Sequence, residues 1–588
     1  MRFLSLMLMA VVSGCPVALA QAPATPPPFA ALADSVRAPG IVWAFVAGDS
    51  VMLGASGLAD RAAGTAMSAT GTRIRVASVT KAVTAAAVAR LAVEGLLDLD
   101  EDLRDRWDWL NADHPVTLRG LLTHTSGLDD PSLGNLVRSQ TETLPLERFL
   151  RSHAPRQTTR PGAAFRYSNR AFTLAGLVIA EAVDRPFAEA MEDGVFAPLE
   201  MRSSSVGRPA DVAAATGYTC GECDPVAPFW GQTAPAGDLY TTAEDMGRLL
   251  RFLLAEGSWA DTLLAPHVSV HPGVHGMALG WAQSSAGSRE LLLHAGAGLG
   301  TTALLALDPV AREGLFVAVN VQSMALLGSV LEAWAGPDTA PDHVPGASVP
   351  EGVGGWYLSG RAPRSGIESL PALFHYGVQV TATTGGLLVG GTPYVVVGND
   401  RYAAADGDGR LAFSRDADLG LLAHRSGRGV GHPETLIRLP RWAEPPVMNE
   451  ILSFAGGLPL LIALAWPVLA ALVWAMRKVG VRARALQLRT WLLCVGTAAC
   501  ALPVLFVFVA GFQRLGATGD VQFALPSAMQ WSLAAPWLLL IVVVLGTFAI
   551  VKIAGMALLD RLLLGTCLVC GVVLLAVFAA FDLFVLPW

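Results

Sequence analysis

Ser78-Val79-Thr80-Lys81, followed at once by the run Ala82 to Ala92, decides how this chain is read. The run is rich in Ala with Val, Leu and Arg, and it holds no Gly or Pro before Gly95. That composition predicts a helix ending near the glycine. Residues three apart share a helix face, which sets the Ser78 hydroxyl beside the Lys81 amine. At a helix N-terminus, unpaired N–H groups and the macrodipole favour developing negative charge. A serine is a poor nucleophile until a base takes its proton, and Lys81 is placed to do so if its pKa is depressed. Taken alone the pattern is common, and an ordinary N-cap serine explains it more simply.

Two later stretches change that balance. Tyr167-Ser168-Asn169 follows the turn signal Arg160-Pro161-Gly162 and precedes a helix expected over residues 170–183. A phenol held near a lysine ammonium has a lowered pKa and can accept the serine proton. Asn169 is suited to orient Lys81 and to bond an acyl-amide of a substrate. His294-Ala295-Gly296 follows the apolar strand signal Leu291-Leu292-Leu293. A strand edge there offers backbone N–H groups to a substrate carbonyl, and glycines at 296, 298 and 300 permit close approach. Each stretch also has a plain structural reading: a surface tyrosine in a loop, and a satisfied strand-end histidine.

The order S-x-x-K, Y-x-N, basic residue-x-Gly resembles the serine beta-lactamase and penicillin-binding protein superfamily. The tyrosine in the second motif resembles its class C beta-lactamase-like branch, with the related esterases and D-amino-acid peptidases. Leu121-Leu122-Thr123-His124-Thr125-Ser126-Gly127-Leu128 resembles that branch's L-L-x-H-T-S-G-L segment. Residues Pro235-Ala236-Gly237-Asp238-Leu239-Tyr240-Thr241-Thr242-Ala243-Glu244-Asp245 resemble its P-A-G-G-L-x-S-T-x-x-D segment. In that second segment Thr242 and Asp245 also form a capping-box-like helix start. The resemblance covers about residues 30 to 335. It implies Ser78 as acylated nucleophile, Lys81 and Tyr167 as shared general base, and Asn169, His294 and Gly296 as substrate-binding positions. It implies an oxyanion hole made of the backbone N–H groups of Ser78 and Ala297. His294 stands where most beta-lactamases carry lysine, and a histidine can be neutral at physiological pH. That departure weakens recognition of a beta-lactam or D-Ala carboxylate and favours an esterase or peptidase. Asp238, where the family often has a second glycine, is a smaller departure.

At 588 residues the chain is too long for one ordinary domain. Hydrophobic residues make up 53% and mean hydropathy is +0.48, an excess that lies at the C-terminus. A net charge of −7, with no basic block outside the last quarter, argues against nucleic-acid binding. Arg2, the apolar core from Phe3 to Val12, and Ala18-Leu19-Ala20 read as an export signal over residues 1–20. Val12-Ser13-Gly14-Cys15 also resembles a lipobox; ordinary cleavage is favoured because a cut before Cys15 leaves a very short signal. Cys220 and Cys223 are the only cysteine pair in the exported part, and an oxidising compartment favours a disulfide between them. Zinc would need two further ligands, so no metal and no cofactor are expected.

The fold expected is α+β. A beta-lactamase-like antiparallel sheet flanked by helices spans residues 21–335 and opens with a Pro/Ala-rich leader over 21–30. A linker follows at 336–350, then a small β-domain at 351–440 in which no chemistry is visible, and a second linker at 441–450. Four apolar segments, about 451–475, 490–512, 534–551 and 562–586, each approach or exceed bilayer-spanning length. Arg477, Lys478, Arg482, Arg484 and Arg489 in the first connection, and Lys552 and Arg561 around the third, place those connections in the cytoplasm. The hydrolase unit and the C-terminus then face the periplasm or exterior of a bacterial-type cytoplasmic membrane. Asp582 is the one acid well inside an apolar segment, and a site near the outer interface accounts for it. The sequence therefore reads as a membrane-anchored, exported serine hydrolase acting on a small-molecule or peptide ester or amide. The alternatives are a D-alanyl carboxypeptidase or beta-lactamase, and a non-catalytic cell-wall or peptide-binding sensor.

Overall fold

The computed structural model describes residues 25–209, 214–255, 257–337, 341, 344, 349–398, 400–407, 409–427, 431–478, 488–502, 535–552 and 558–581. The export signal, Cys15 and Asp582 lie outside the described residues. An eight-stranded antiparallel sheet carries the first half of the chain. Its spatial order is Thr65–Ala66, Ser50–Asp60, Gly40–Ala47, Glu313–Val319, Thr301–Asp308, Arg289–Gly298, Trp281–Ala286 and Met277–Ala278. Strand Gly40–Ala47 thus pairs both with its hairpin partner and with Glu313–Val319, in register Ile41 to Val319.

Successive side chains of a strand point to opposite faces, and here both faces are covered. Val42, Ala44 and Val46 pack into one apolar core, with Ala303, Leu305 and Leu307. Ile41 and Phe45 pack into another, with Leu304, Ala306 and Val317. This explains why the central strands are almost unbroken apolar runs. The first core is built on helix Val79–Val93, which is buried on nearly all sides. That helix ends where Gly95 takes a left-handed backbone, φ +76°. The second core lies under helices Phe29–Ser35 and Met324–Ala335. The leader expected over 21–30 is therefore too long at its C-terminal end: Phe29 is buried and stacks on Trp43 at 4.9 Å. Cys220 and Cys223 are disulfide-bonded.

The small β-domain is a closed eight-stranded barrel. Its strands run as a meander from Gly355–Ser359 to Glu434–Arg438, and these two pair to close it, Leu358 opposite Ile437. Closure removes both exposed sheet edges. Inside lie Tyr357, Val380, Leu387, Tyr402, Leu411 and Leu436.

The barrel and the eight-stranded sheet domain are joined through buried polar groups. The carboxylate of Asp129, fully buried, accepts from Arg166 Nη2 at 2.8 Å, from Ser365 N at 2.9 Å and from Ser365 Oγ at 2.7 Å. Arg364 N also donates to it, at 3.0 Å. Phe165 N donates to Thr435 Oγ1 at 2.9 Å, Thr435 N returns a bond to Phe165 O at 3.3 Å, and Arg166 Nε donates to Gly360 O. The two residues that precede Tyr167 are thereby clamped to the barrel.

Residues 441–450, read above as a linker, are instead a 3-10 turn over Arg441–Ala443 and the start of helix Pro445–Lys478. Helices Leu488–Leu502 and Leu558–Ala580 pack with it, and helix Ala535–Lys552 packs against those two. Among the described residues two helical stretches are long and apolar enough to cross a membrane, Pro445–Met476 and Arg561–Ala580. The expected four-span region is therefore not confirmed: the stretches expected at 490–512 and 534–551 are described only as helices Leu488–Leu502 and Ala535–Lys552, and residues 503–534 lie outside the described residues.

Removing one member of a buried ion pair leaves the other uncompensated, typically at a cost of about 3–5 kcal/mol. Asp129→Ala is expected to destabilise the joined sheet domain and barrel by about that amount, read as a lowered unfolding midpoint. An unchanged midpoint would show that the barrel contact carries no stability.

Candidate active site

Ser78 occupies the N-cap position of helix Val79–Val93, but its side chain makes no capping bond. The hydroxyl is therefore available for other partners, which the ordinary N-cap reading does not provide. The residue before it, Ala77, has φ +45°, a left-handed backbone that costs a non-glycine residue of order 1–3 kcal/mol. This turn sets Ser78 at the floor of an open cavity of about 360 Å³.

Lys81, one turn along, is completely buried. Its Nζ lies 3.1 Å from Ser78 Oγ, 2.7 Å from Asn169 Oδ1 and 2.7 Å from the carbonyl of Ala236. Burial pulls the Lys81 pKa well below its ordinary value; nearby Asp130 opposes this, while Arg361 and Arg75 add to it. A neutral amine has two N–H donors and one lone pair. In that neutral form its two donors match the acceptors Asn169 Oδ1 and Ala236 O, and its lone pair would be free to accept from the Ser78 hydroxyl. Asn169 is fixed in turn: its Nδ2 donates to Asp130 Oδ2 at 2.8 Å, and its backbone N–H donates to Asp130 Oδ1 at 2.8 Å.

Tyr167 Oη donates to Ser78 Oγ at 2.8 Å, and the Lys81 amine stands 4.8 Å from its ring centroid. The expected lowering of its pKa does not occur. Burial pushes the phenol up to about 12. Desolvation of the phenol outweighs the lowering by Arg361 and by its bond to Ser78.

Strand Arg289–Gly298 forms the opposite wall. Its neighbour Trp281–Ala286 pairs with it only as far as Leu293, so residues 294–298 keep an open edge toward Ser78. A side chain at Gly296 would collide with the carbonyl of Val76 and lie 3.2 Å from Ser78 N, so glycine alone permits this approach. Ser78, Ala295, Ala297 and Gly298 line the cavity. His294 does not line it. Its imidazole is fully buried, its Nδ1 meets the Ala295 carbonyl at 2.9 Å, and burial holds its pKa well below the ordinary value. His294 thus packs beside the site, while Ala295, Ala297 and Gly298 of the same strand line the cavity.

Several participants were given no role from the sequence. Asp130, which sets Asn169, directly follows the quoted 121–128 segment and its Asp129, so its position was a usable signal. Asp238 replaces a family glycine and pairs with Arg75 at 3.0 Å, neutralising that cation at the cavity rim. Most unexpected are Arg361, Gly431 and His432, which reach the cavity from the barrel. His432 packs on His294 with ring centroids 4.3 Å apart and on Tyr167 at 5.3 Å. Burial brings its pKa down to about 3. The barrel, in which no chemistry was visible, contributes side chains to the site.

The beta-lactamase family profile matches residues 29–334, more than half of the chain. The chain belongs to the beta-lactamase family. Membership sets it among serine hydrolases of that fold. Among curated proteins, beta-lactamase-family relatives include esterase EstB of Burkholderia gladioli, 34% identical over 192 residues, 29% of this chain and 48% of the esterase. Protein flp of Staphylococcus aureus (strain MRSA252) is 24% identical over 272 residues, covering 43% of this chain and 53% of flp. The chain spans about half the length of the curated relatives it matches. Among solved structures, SurE aligns with a TM-score of 0.50 at 23% identity, over 70% of this chain and 97% of SurE, a likeness of fold.

With Lys81 lowered and Tyr167 raised, a reaction that uses the Lys81 lone pair rises with pH through the lowered lysine pKa. It then holds a plateau, with no alkaline loss until the phenol ionises near 12. kcat/KM measured from pH 5 to 10 is expected to show this single ascending limb. A rate still climbing at pH 10, with no plateau, would return the base role to Tyr167.

Proposed function

We propose that this chain is an exported, membrane-anchored serine hydrolase that cleaves an ester or amide through an acyl-enzyme on Ser78. The observation that carries the reading is the contact of one hydroxyl with both an amine and a phenol, Ser78 Oγ lying 3.1 Å from Lys81 Nζ and 2.8 Å from Tyr167 Oη. In this reading the Lys81 lone pair takes the Ser78 proton as Oγ bonds to the substrate carbonyl carbon. The backbone N–H groups of Ser78 and Ala297 receive the oxyanion. As the carbonyl reforms, the bond to the leaving group breaks. Tyr167 gives its proton to the departing oxygen or nitrogen and recovers one from the Lys81 ammonium. Water then repeats the sequence against the acyl-enzyme, with Lys81 again accepting the proton. No cofactor enters any step.

Esters and amides lacking a family-type carboxylate contact at His294 suit the site, because that ring is buried and neutral. The resemblance to EstB supports the ester side of this class. A non-catalytic sensor would have no use for a buried lysine whose two donors are satisfied and whose lone pair meets a serine. For the membrane part, the reading is four spans with the hydrolase unit outside the cytoplasm. It is supported by the two long apolar helices and by the basic residues of the first and third connections.

Ser78→Ala is expected to lower turnover of a short-chain aryl ester by at least about a thousandfold while leaving the fold intact by circular dichroism. Lys81→Ala is expected to fall comparably. Full activity in Ser78→Ala, or no turnover by the wild type of aryl esters, D-amino-acid amides and beta-lactams, would overturn the proposal. Alkaline carbonate extraction should leave the full chain in the membrane fraction; release into the supernatant would refute the anchor.

A further inference from the structure

The cavity above Ser78 has a charge that the hydrolase unit does not supply. Among the described residues lining it there are two cations, Arg75 and Arg361, and no acid. Arg75 is answered by Asp238 at 3.0 Å. The imidazoles of His124 and His432, beside Tyr167, and that of His294, beside His432, are all driven toward the neutral form by burial. Arg361 is different. It follows barrel strand Gly355–Ser359, is exposed to the cavity, and has no carboxylate partner among the described residues. Its near neighbour Arg364 bonds Asp129 through its backbone N–H, and Arg166 pairs with the same acid.

The position of Arg361 is set by the barrel and by the site together. Its backbone N–H donates to Ser359 Oγ at 3.1 Å, and its guanidinium carbon stands 4.4 Å from the Tyr167 ring centroid. A second cavity of about 310 Å³ opens between barrel and hydrolase unit. Tyr167, Arg361, Gly431 and His432 line both cavities. The other arginine of the second cavity, Arg425, is bonded to Glu434 at 2.7 Å. Arg361 is thus an unanswered guanidinium at the junction of the two spaces, stacked on the tyrosine that touches the nucleophile. A planar guanidinium held in that way is suited to a planar carboxylate.

We propose that Arg361 is a substrate-recognition residue supplied by the barrel, and that the preferred substrates are esters or amides carrying a carboxylate that docks between the two cavities while the scissile carbonyl lies at Ser78. The inference rests on the acyl-enzyme reading of Ser78 and deepens it. It assigns the barrel a role in selecting substrate and places the missing positive charge opposite the strand where the family's lysine would stand.

The test uses the full chain in detergent with two matched pairs of esters. p-Nitrophenyl hexanoate against the p-nitrophenyl monoester of adipic acid puts the charge on the acyl side. 3-Acetoxybenzamide against 3-acetoxybenzoate puts it on the leaving group. In one pair the acid is expected to have the higher kcat/KM. Arg361→Met, which keeps volume and loses charge, is expected to lower the acid-to-neutral ratio about tenfold or more, chiefly through KM. Arg361→Lys should restore part of it. No acid preference in the wild type, or an equal fall for both members of a pair in Arg361→Met, would overturn the proposal, the second outcome marking Arg361 as a support for Tyr167 alone. If no ester is turned over, the acyl-enzyme reading fails only when D-amino-acid amides and beta-lactams are likewise inert. Calorimetric titration with adipate then decides the anion site separately: binding by the wild type that is lost in Arg361→Met supports it, and equal or absent binding refutes it.

Discussion

Everything at this site depends on the burial of one amine. Lys81 is enclosed within the core helix, and its Nζ meets two fixed acceptors, Asn169 Oδ1 and the Ala236 carbonyl, each at 2.7 Å. An isolated ammonium in such a place is costly, and the cheaper state is the neutral amine. The same packing that makes the charge unfavourable therefore favours an available lone pair, which the proposed mechanism uses as its base. The acceptors come from two separate segments that meet only in the fold, so the lone pair of Lys81 is aimed by tertiary structure. Asp130 keeps Asn169 in place, and the tight approach of Gly296 closes the strand wall against the nucleophile's turn.

The barrel extends this dependence beyond the family's own unit. Phe165 and Arg166, immediately before Tyr167, are bonded to Thr435 and Gly360 of the barrel, while Asp129, immediately before Asp130, receives Arg364 and Ser365. The two segments that carry the tyrosine and the asparagine's anchor are thus both held from the barrel side. With Arg361 and His432 also facing the cavity, hydrolase unit and barrel make one site. The turn Arg441–Ala443 and helix Pro445–Lys478 continue directly from the barrel, which ties its position to the apolar helices that follow.

The nucleophile helix was legible because its signal is local: a serine, a lysine three residues on, and an uninterrupted helix-forming run. The Tyr167 and His294 motifs were legible as motifs, and their meeting with Ser78 followed from the resemblance. What the sequence misjudged was environment. The Tyr167 pKa was expected to fall beside an ammonium, but enclosure of the phenol raises it, and enclosure depends on contacts far along the chain. Arg361 and His432 carried no local pattern at all. Arg166 meets Gly360 across 194 positions of sequence, and no periodicity records such a contact. The leader over 21–30 and the linker over 441–450 were drawn from proline content. Proline is equally at home just before or at the first turn of a helix, as at Pro28 before Phe29–Ser35 and at Pro445.

The central claim is that Ser78 becomes acylated, and the most direct measurement is the mass of the intact chain quenched during turnover of p-nitrophenyl acetate, followed by peptide mapping. The account predicts a transient gain of one acetyl group on the peptide containing Ser78, appearing with the burst of p-nitrophenol and absent in Ser78→Ala. Turnover with no adduct at any quench time and no burst phase, or an acetyl group mapped to Lys81 or Tyr167 in place of Ser78, would contradict it.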